Sequence, residues 1–232
     1  MRFEDQNFMK MKKYIFILPF MFISLFATYA QERWTVEWHG GEVYNLPLPL
    51  TISQQGYPDI KLTARYYTDA LFPPIYWNLR LSHWKNVRSW EFELVHHKLY
   101  LDNTTPEVQK FNISHGFNMI TINRGYDIKT WQCRAGAGIV LTHPESRIRG
   151  KEFGSTGDDF DLGYFVSGPV LNFAIGKSYR TGNRFFFYAE AKTTLAYAYI
   201  PISQGHAKVV NIAFHIVLGL GYDFIKPHKE NI

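Results

Sequence analysis

Residues 207–224 alternate almost without error between large apolar and small or polar side chains, and no other feature of the chain restricts its fold so tightly. Even positions read Lys208, Val210, Ile212, Phe214, Ile216, Leu218, Leu220, Tyr222 and Phe224. Odd positions read Ala207, Val209, Asn211, Ala213, His215, Val217, Gly219, Gly221 and Asp223. Successive strand side chains point to opposite faces, so this run has one greasy face edged with aromatics and one small or polar face. The second face cannot fill a soluble core, so the large face is expected to meet lipid. Apolar outward and polar inward is how a transmembrane β-barrel strand reads.

The same rhythm runs through Asp59–Asp69, Ile75–Trp84, Ser89–Leu101, Gln109–Arg124, Trp131–His143, Tyr164–Arg180 and Arg184–Ile200. Each is long enough for the roughly 9–11 residues of a tilted membrane strand. With the opening run they predict an all-β fold, an eight-stranded antiparallel up-and-down transmembrane β-barrel over residues 59–224. In Gln109–Arg124 the apolar set Phe111, Ile113, Phe117 and Met119 is assigned to lipid, and a slip near Ile120–Ile122 suggests a bulge. Tight links at Lys85–Arg88, Gly125–Lys129 and Thr181–Asn183 alternate with longer ones, the longest being Pro144–Gly163. Short periplasmic turns and long extracellular loops are the outer-membrane arrangement.

Ahead of the strands, Lys10, Lys12 and Lys13 precede the apolar run Tyr14–Phe26 and a small residue, Ala30. Residues 1–30 therefore read as a cleaved secretion signal rather than a membrane helix. Residues 31–58 alternate at Trp34, Val36 and Trp38 but are broken by Gly40-Gly41 and by prolines 47 and 49. Proline gives no ladder donor, so this stretch is read as a periplasmic lead-in packed on the barrel rim, with a plug in the lumen or an extra partial strand as the alternatives. Residues 225–232 form a short tail. Without residues 1–30 the formal charge falls from +5 to +3, since four basic and two acidic residues leave with them. That charge is too mild to argue for nucleic acid. Cys133 is the single cysteine, which excludes an internal disulfide and a cysteine metal cage, and no cofactor or metal is expected.

Over about Asp59–Phe224 the pattern resembles small eight-stranded outer-membrane barrels of the OmpA/OmpX type, whose interiors are filled by side chains. The resemblance implies an integral outer-membrane protein of a Gram-negative bacterium, inserted by the outer-membrane assembly machinery. It implies a monomer among membrane lipid and lipopolysaccharide, with Phe224 as the terminal aromatic that the machinery reads. A structural or surface-interaction role is the first expectation. The alternative is an enzyme modifying lipid A or phospholipid acyl chains. The His-x-Ser pair of the deacylase barrels and the Asp-Ser dipeptide of the palmitoyltransferase barrels are both absent from this sequence.

Lumen-facing positions hold Lys61, Arg65, Arg80, Glu91, Glu93, Arg134, Glu190, Lys192 and His215. A tight turn at Lys85–Arg88 pairs Arg80 with Glu93 and Ser82 with Glu91. The link from Asp69 to Tyr76 brings Arg65 beside Arg80, and the Pro201–His206 loop sets Lys192 opposite His215. A charge inside a narrow barrel needs a partner, so a salt-bridge network is expected. The sharper reading makes Glu190, Lys192 and His215 a proton-transfer or ligand site. The candidate catalytic group is His97 and Ser114 with Glu93, a base and a nucleophile needing hydrogen-bond reach. The expected register sets Ser114 opposite Val95 and His97 opposite Asn112, which leans against that reach. In the longest loop, Asp158, Asp159 and Asp161 offer calcium oxygens, and Arg147, Arg149 and Lys151 offer donors to lipopolysaccharide phosphates. A solvated loop is the plainer reading of both.

Overall fold

The computed structural model describes residues 32–129, 131–154, 163–180, 182 and 184–224. The expected signal, the tail and the Asp158–Asp161 cluster lie outside the described residues. In chain order the strands are β1 (Glu32–Asn45), β2 (Leu48–Gln54), β3 (Ile60–Ala64), β4 (Tyr66–Tyr67), β5 (Trp77–Lys85), β6 (Arg88–Leu101) and β7 (Val108–Ile128). They continue as β8 (Trp131–Thr142), β9 (Glu145–Ile148), β10 (Lys151–Phe153), β11 (Phe165–Arg180), β12 (Phe185–Ile202) and β13 (Gly205–Asp223).

Eight of them close a ring in the order β1, β5, β6, β7, β8, β11, β12, β13 and back to β1, every neighbour antiparallel. This is an eight-stranded up-and-down barrel with transmembrane architecture. The closing pair runs from Thr35 opposite Asp223 to Asn45 opposite Ala213. Closure leaves no ring edge exposed, which an apolar surround requires because nothing there could satisfy free backbone groups.

The first ring strand is therefore β1, inside the stretch read as a lead-in, and not Asp59–Asp69. The Gly40-Gly41 break is tolerated because Gly41 packs against the β13 backbone at Ile216 and Val217, where a Cβ would overlap. The prolines fall past the ring. Leu46 still donates to the Ile212 carbonyl at 2.9 Å, and β2 then carries the sheet onward along Gly205–Val209. Asp59–Asp69 lies in this extension: β3 pairs with β2, and β4 with the far end of β6. On the other side of the mouth, β9 lies along Val108–Asn112 and β10 along β9. The turns β5–β6, β7–β8 and β11–β12 gather at one end of the ring, and all of these additions gather at the other, together with the two-residue β12–β13 turn.

Outward positions of the ring form an apolar band. Leu79, Leu81, Phe92, Ile122, Ile139, Leu171, Phe173, Ile175, Phe214, Ile216, Leu218 and Leu220 are all exposed. Aromatics border it: Trp34, Trp90, Tyr126, Trp131, Tyr179 and Phe185 at the tight-turn end, Tyr44, Tyr164, Tyr197 and Tyr199 at the other.

Inside, the chemistry changes with height. On β6 the inward residues Ser89, Glu91 and Glu93 give way to Val95, Leu99 and Leu101, with His97 between. On β12 Glu190, Lys192 and Thr194 give way to Ala196, Ala198, Ile200 and Ile202. The half of the interior nearer the long loops is thus an apolar core, to which Leu50, Ile52, Ile60, Ala64, Tyr66 and Tyr76 contribute. This corrects the reading of β7. Phe111, Ile113, Phe117 and Met119 are buried in that core, not turned to lipid. The pattern slip at Ile120–Ile122 is no bulge, because pairing with both neighbours is continuous there. It marks the height at which the inward residues change from Met119 to Thr121 and Asn123. The irregularity sits elsewhere, between His97 and Leu99 on β6, opposite Gly116 at φ +135°. Glycine adopts that φ without the strain a Cβ would bring.

Candidate functional site

The polar half of the lumen is one connected charge cluster. Arg80, fully buried, donates to Glu37 Oε2 at 2.8 Å, Glu93 Oε1 at 3.0 Å and Glu190 Oε1 at 2.6 Å. Its Nε lies 3.7 Å from Glu91. Arg134 donates to Glu91 at 2.7 Å, to Glu190 at 3.0 Å and to the Tyr188 hydroxyl. Lys192 closes the cluster on Glu93 and, at 3.4 Å, on Glu190. Three cations thus meet four carboxylates, so the anions need further donors. Glu93 has them: the amides of Asn78, Asn123 and Asn172 donate to it at 2.5, 2.8 and 2.9 Å. Buried charge is tolerated only when paired and hydrogen-bonded in this way.

Hairpin geometry delivers these contacts. Arg80 stands opposite Glu93, Ser82 opposite Glu91 and Lys192 opposite His215, as the turn lengths predict. Glycines at inward positions leave the room: a Cβ at Gly136 would overlap Asn123, one at Gly176 the Tyr188 ring, and one at Gly221 the Phe186 ring.

Arg65 is not part of the cluster. It lies in the extension, exposed, 3.5 Å from Asp102, and Lys61 is exposed beside it. Lys61 on β3 and Arg65 just after it stand past the ring, so the side opposite the apolar residues there is solvent and not lumen. Sequence reasoning missed Glu37, His39 and Tyr188. The first two were legible: Thr35, Glu37 and His39 alternate against Trp34, Val36 and Trp38 as in every ring strand.

A histidine layer lies above the charges. His215 meets the Tyr76 hydroxyl through Nδ1 at 3.1 Å and Thr194 Oγ1 through Nε2 at 3.0 Å. His97 Nε2 meets Thr68 Oγ1 at 3.0 Å, and the His97 and His215 rings stand 5.5 Å apart edge to face. Glu190, Lys192 and His215 therefore adjoin one another, but each is engaged by its own partners.

His97, Ser114 and Glu93 are not brought together. His97 pairs with Phe117 and Val95 with Met119, five positions from the expected register: three arise where the β6–β7 connection closes, with Leu99 opposite Ile113, and two at the irregularity beside Leu99. Ser114 donates instead to Glu145 Oε1 at 2.8 Å, and its Oγ is 3.3 Å from His115 Nδ1. Glu145 also takes Lys110 at 2.6 Å and lies 3.1 Å from His115. Burial pushes the Glu145 carboxyl up, but the Lys110 and Ser114 hydrogen bonds and nearby positive charge outweigh it and hold it below the ordinary carboxylate range. The serine hydroxyl is spent on that carboxylate, so the imidazole does not receive its proton. Of the loop cations, Arg149 is bound to Glu107 at 2.8 Å, Lys151 to Gln204 at 2.5 Å, and Arg147 lies 3.8 Å from Glu152. Arg149 and Lys151 also flank the Tyr57 ring at 4.6 and 5.1 Å, which ties the β9–β10 and β2–β3 hairpins together.

No family model matches the chain, and no curated protein matches it. Among solved structures, the chain is similar to Ail, the attachment invasion locus protein of Yersinia pestis, at 10% identity and TM-score 0.39, covering 84% of this chain and 99% of that one. Neisserial surface protein A is similar at 12% identity and TM-score 0.38, covering 83% and 97%. The outer membrane protein AlkL in lipid bilayers is similar at 14% identity and TM-score 0.46, covering 85% and 92%. The fold assignment itself stands on the closed pairing of the eight ring strands.

Proposed function

We propose that this chain is an integral protein of a bacterial outer membrane, sealed against flow through its lumen, with the extended long-loop end presented outside the cell for surface interaction. The observation that carries it is the apolar band with aromatic margins, running around a closed ring whose interior is polar. A soluble barrel would hide those residues; in a bilayer they are the surface that lipid covers. The charge cluster and the apolar core above it fill the two halves of the lumen, as the narrow bore of eight strands favours. An end built of short turns alone and an end with a doubled, hairpin-braced wall suit the periplasmic and extracellular sides respectively. The acyl-modifying alternative has no support in the separation of His97 from Ser114.

Topology is tested with single cysteines in a Cys133→Ser background. On intact cells, a membrane-impermeant maleimide should label Gln55→Cys, in the β2–β3 loop, and spare Asn86→Cys in the β5–β6 turn until the membrane is broken. Equal labelling of both, or recovery of the protein in the soluble fraction, overturns the reading. Steady ion conductance in a planar bilayer overturns the sealed lumen alone.

A further inference from the structure

At the tight-turn end the outward aromatics are interleaved with cations on only one side of the ring. On β6, β7, β8 and β11, which are consecutive neighbours, Arg88 stands opposite Tyr126 and Trp90 opposite Arg124. The Arg124 guanidinium lies 4.9 Å from the Trp90 ring and 5.9 Å from Tyr126, and that of Arg88 lies 6.0 Å from Tyr126. The Lys177 ammonium lies 5.4 Å from Tyr179 and 5.9 Å from Trp131. Among the described residues, none of these three cations forms an ion pair. Four other cations at this end do have polar partners: Lys85 pairs with Glu32 at 3.2 Å, Arg33 with Asp127 at 3.9 Å and Arg180 with Asp223, while Arg184 donates to the Tyr222 hydroxyl at 3.1 Å.

Aromatic rings hold such cations by their faces and leave N–H groups free for an anion. Arg124 stands one outward position deeper than Tyr126, beside exposed Ile122. A charge facing lipid at that depth is unfavourable unless an anion meets it or its stem carries it back to the headgroups. Headgroup phosphate is the anion at that height, and a guanidinium can grip two of its oxygens at once. We propose that the outward face of β6, β7, β8 and β11 at this margin binds the phosphate of an anionic phospholipid in the periplasmic leaflet. The site rests on the membrane reading above. A net negative headgroup is favoured because this face carries three cations without an ion pair among the described residues, Arg88 and Arg124 around Trp90 and Tyr126 and Lys177 beside Trp131 and Tyr179, whereas a zwitterionic one brings its own ammonium against them.

The test uses the full chain without residues 1–30, folded into vesicles of equimolar phosphatidylglycerol and phosphatidylcholine. After gentle detergent extraction, the lipids retained on the protein are counted by native mass spectrometry. Wild type should retain phosphatidylglycerol preferentially. The triple variant Arg88→Gln, Arg124→Gln, Lys177→Gln should lose about tenfold of that preference, as expected for several charges near an anionic surface. The control Lys85→Gln, Arg184→Gln should keep it. Should the triple variant not reach its heat-resistant form, wild type in rising salt gives the same answer, because preference must fall as charge is screened. No preference in wild type, no fall with salt, or an equal loss in the control overturns the site while leaving the inserted barrel in place. Failure to insert into any vesicle overturns the membrane reading and the site with it.

Discussion

Arg80→Met is expected to remove about 3–5 kcal/mol of stability, the range found when one partner of a buried ion pair is taken away. A gross count would give more. Arg80 makes hydrogen bonds to Glu37, Glu93 and Glu190, and each such bond to a charged group is worth about 1.5–3 kcal/mol. The surroundings decide how much of that is lost. Without Arg80, Glu93 keeps Lys192 and three asparagine amides, and Glu190 keeps Arg134 and the Tyr188 hydroxyl. Among the described residues, the contact left to Glu37 within ion-pair distance is His39 Nε2, at 3.4 Å. The loss is therefore close to that of one orphaned buried carboxylate. It follows that Glu37→Gln in the Arg80→Met background should restore about 2 kcal/mol, by removing the charge left unpaired. The assay is reversible urea unfolding from vesicles, followed by tryptophan fluorescence and by heat-resistant gel migration. A single variant within about 1 kcal/mol of wild type, or a double variant no more stable than the single, would refute the cluster as the organiser of the lumen.

On the lipid face, Ile216→Arg should cost about 2–4 kcal/mol in the same titration if it lies near mid-membrane, and a neutral result would contradict the outward band. Gly219→Leu should prevent recovery of the heat-resistant form, because a side chain there meets the Trp38 carbonyl and the His39 ring, and backbone cannot yield cheaply. Glu145 has a lowered carboxyl pKa when folded, so its stabilisation is present above the ordinary carboxylate range and is lost as pH falls through the lowered value. A spin label on the β9–β10 hairpin should loosen only in strong acid, and Glu145→Gln should remove that acid dependence. The effect should stay under about 1 kcal/mol, since Lys110 is partly exposed. Ser114→Ala should leave both the acylation of cellular lipid A and heat-resistant folding unchanged; a mass-spectrometric shift in acyl chains would revive the enzyme reading.

Much of the site was legible because two local rules suffice for it. Strand side chains alternate with period two, and a tight turn sets the register of the hairpin it closes. Those rules place Arg80 against Glu93, Ser82 against Glu91 and Lys192 against His215 without reference to the rest of the fold. They fail where distant parts of the chain meet. Ser114 finds Glu145 because β9 folds back along β7, and no spacing announces that contact.

Alternation along the chain was enough to determine seven of the eight ring strands, the pairings across the tight turns and the barrel class, all properties of neighbours in sequence. Only the tertiary structure decided which strand opens the ring and what each face meets. Closure joins Glu32–Asn45 to the far end of the chain through backbone pairing, which is blind to side-chain pattern and so overrides the Gly40-Gly41 break. Facing also depends on height. Phe117 turns inward because the lumen there is apolar, and Arg65 turns to water because it lies between β3 and β4, past the ring. An alternating pattern separates two environments, but only the assembled barrel determines which is lipid, which is lumen and which is water.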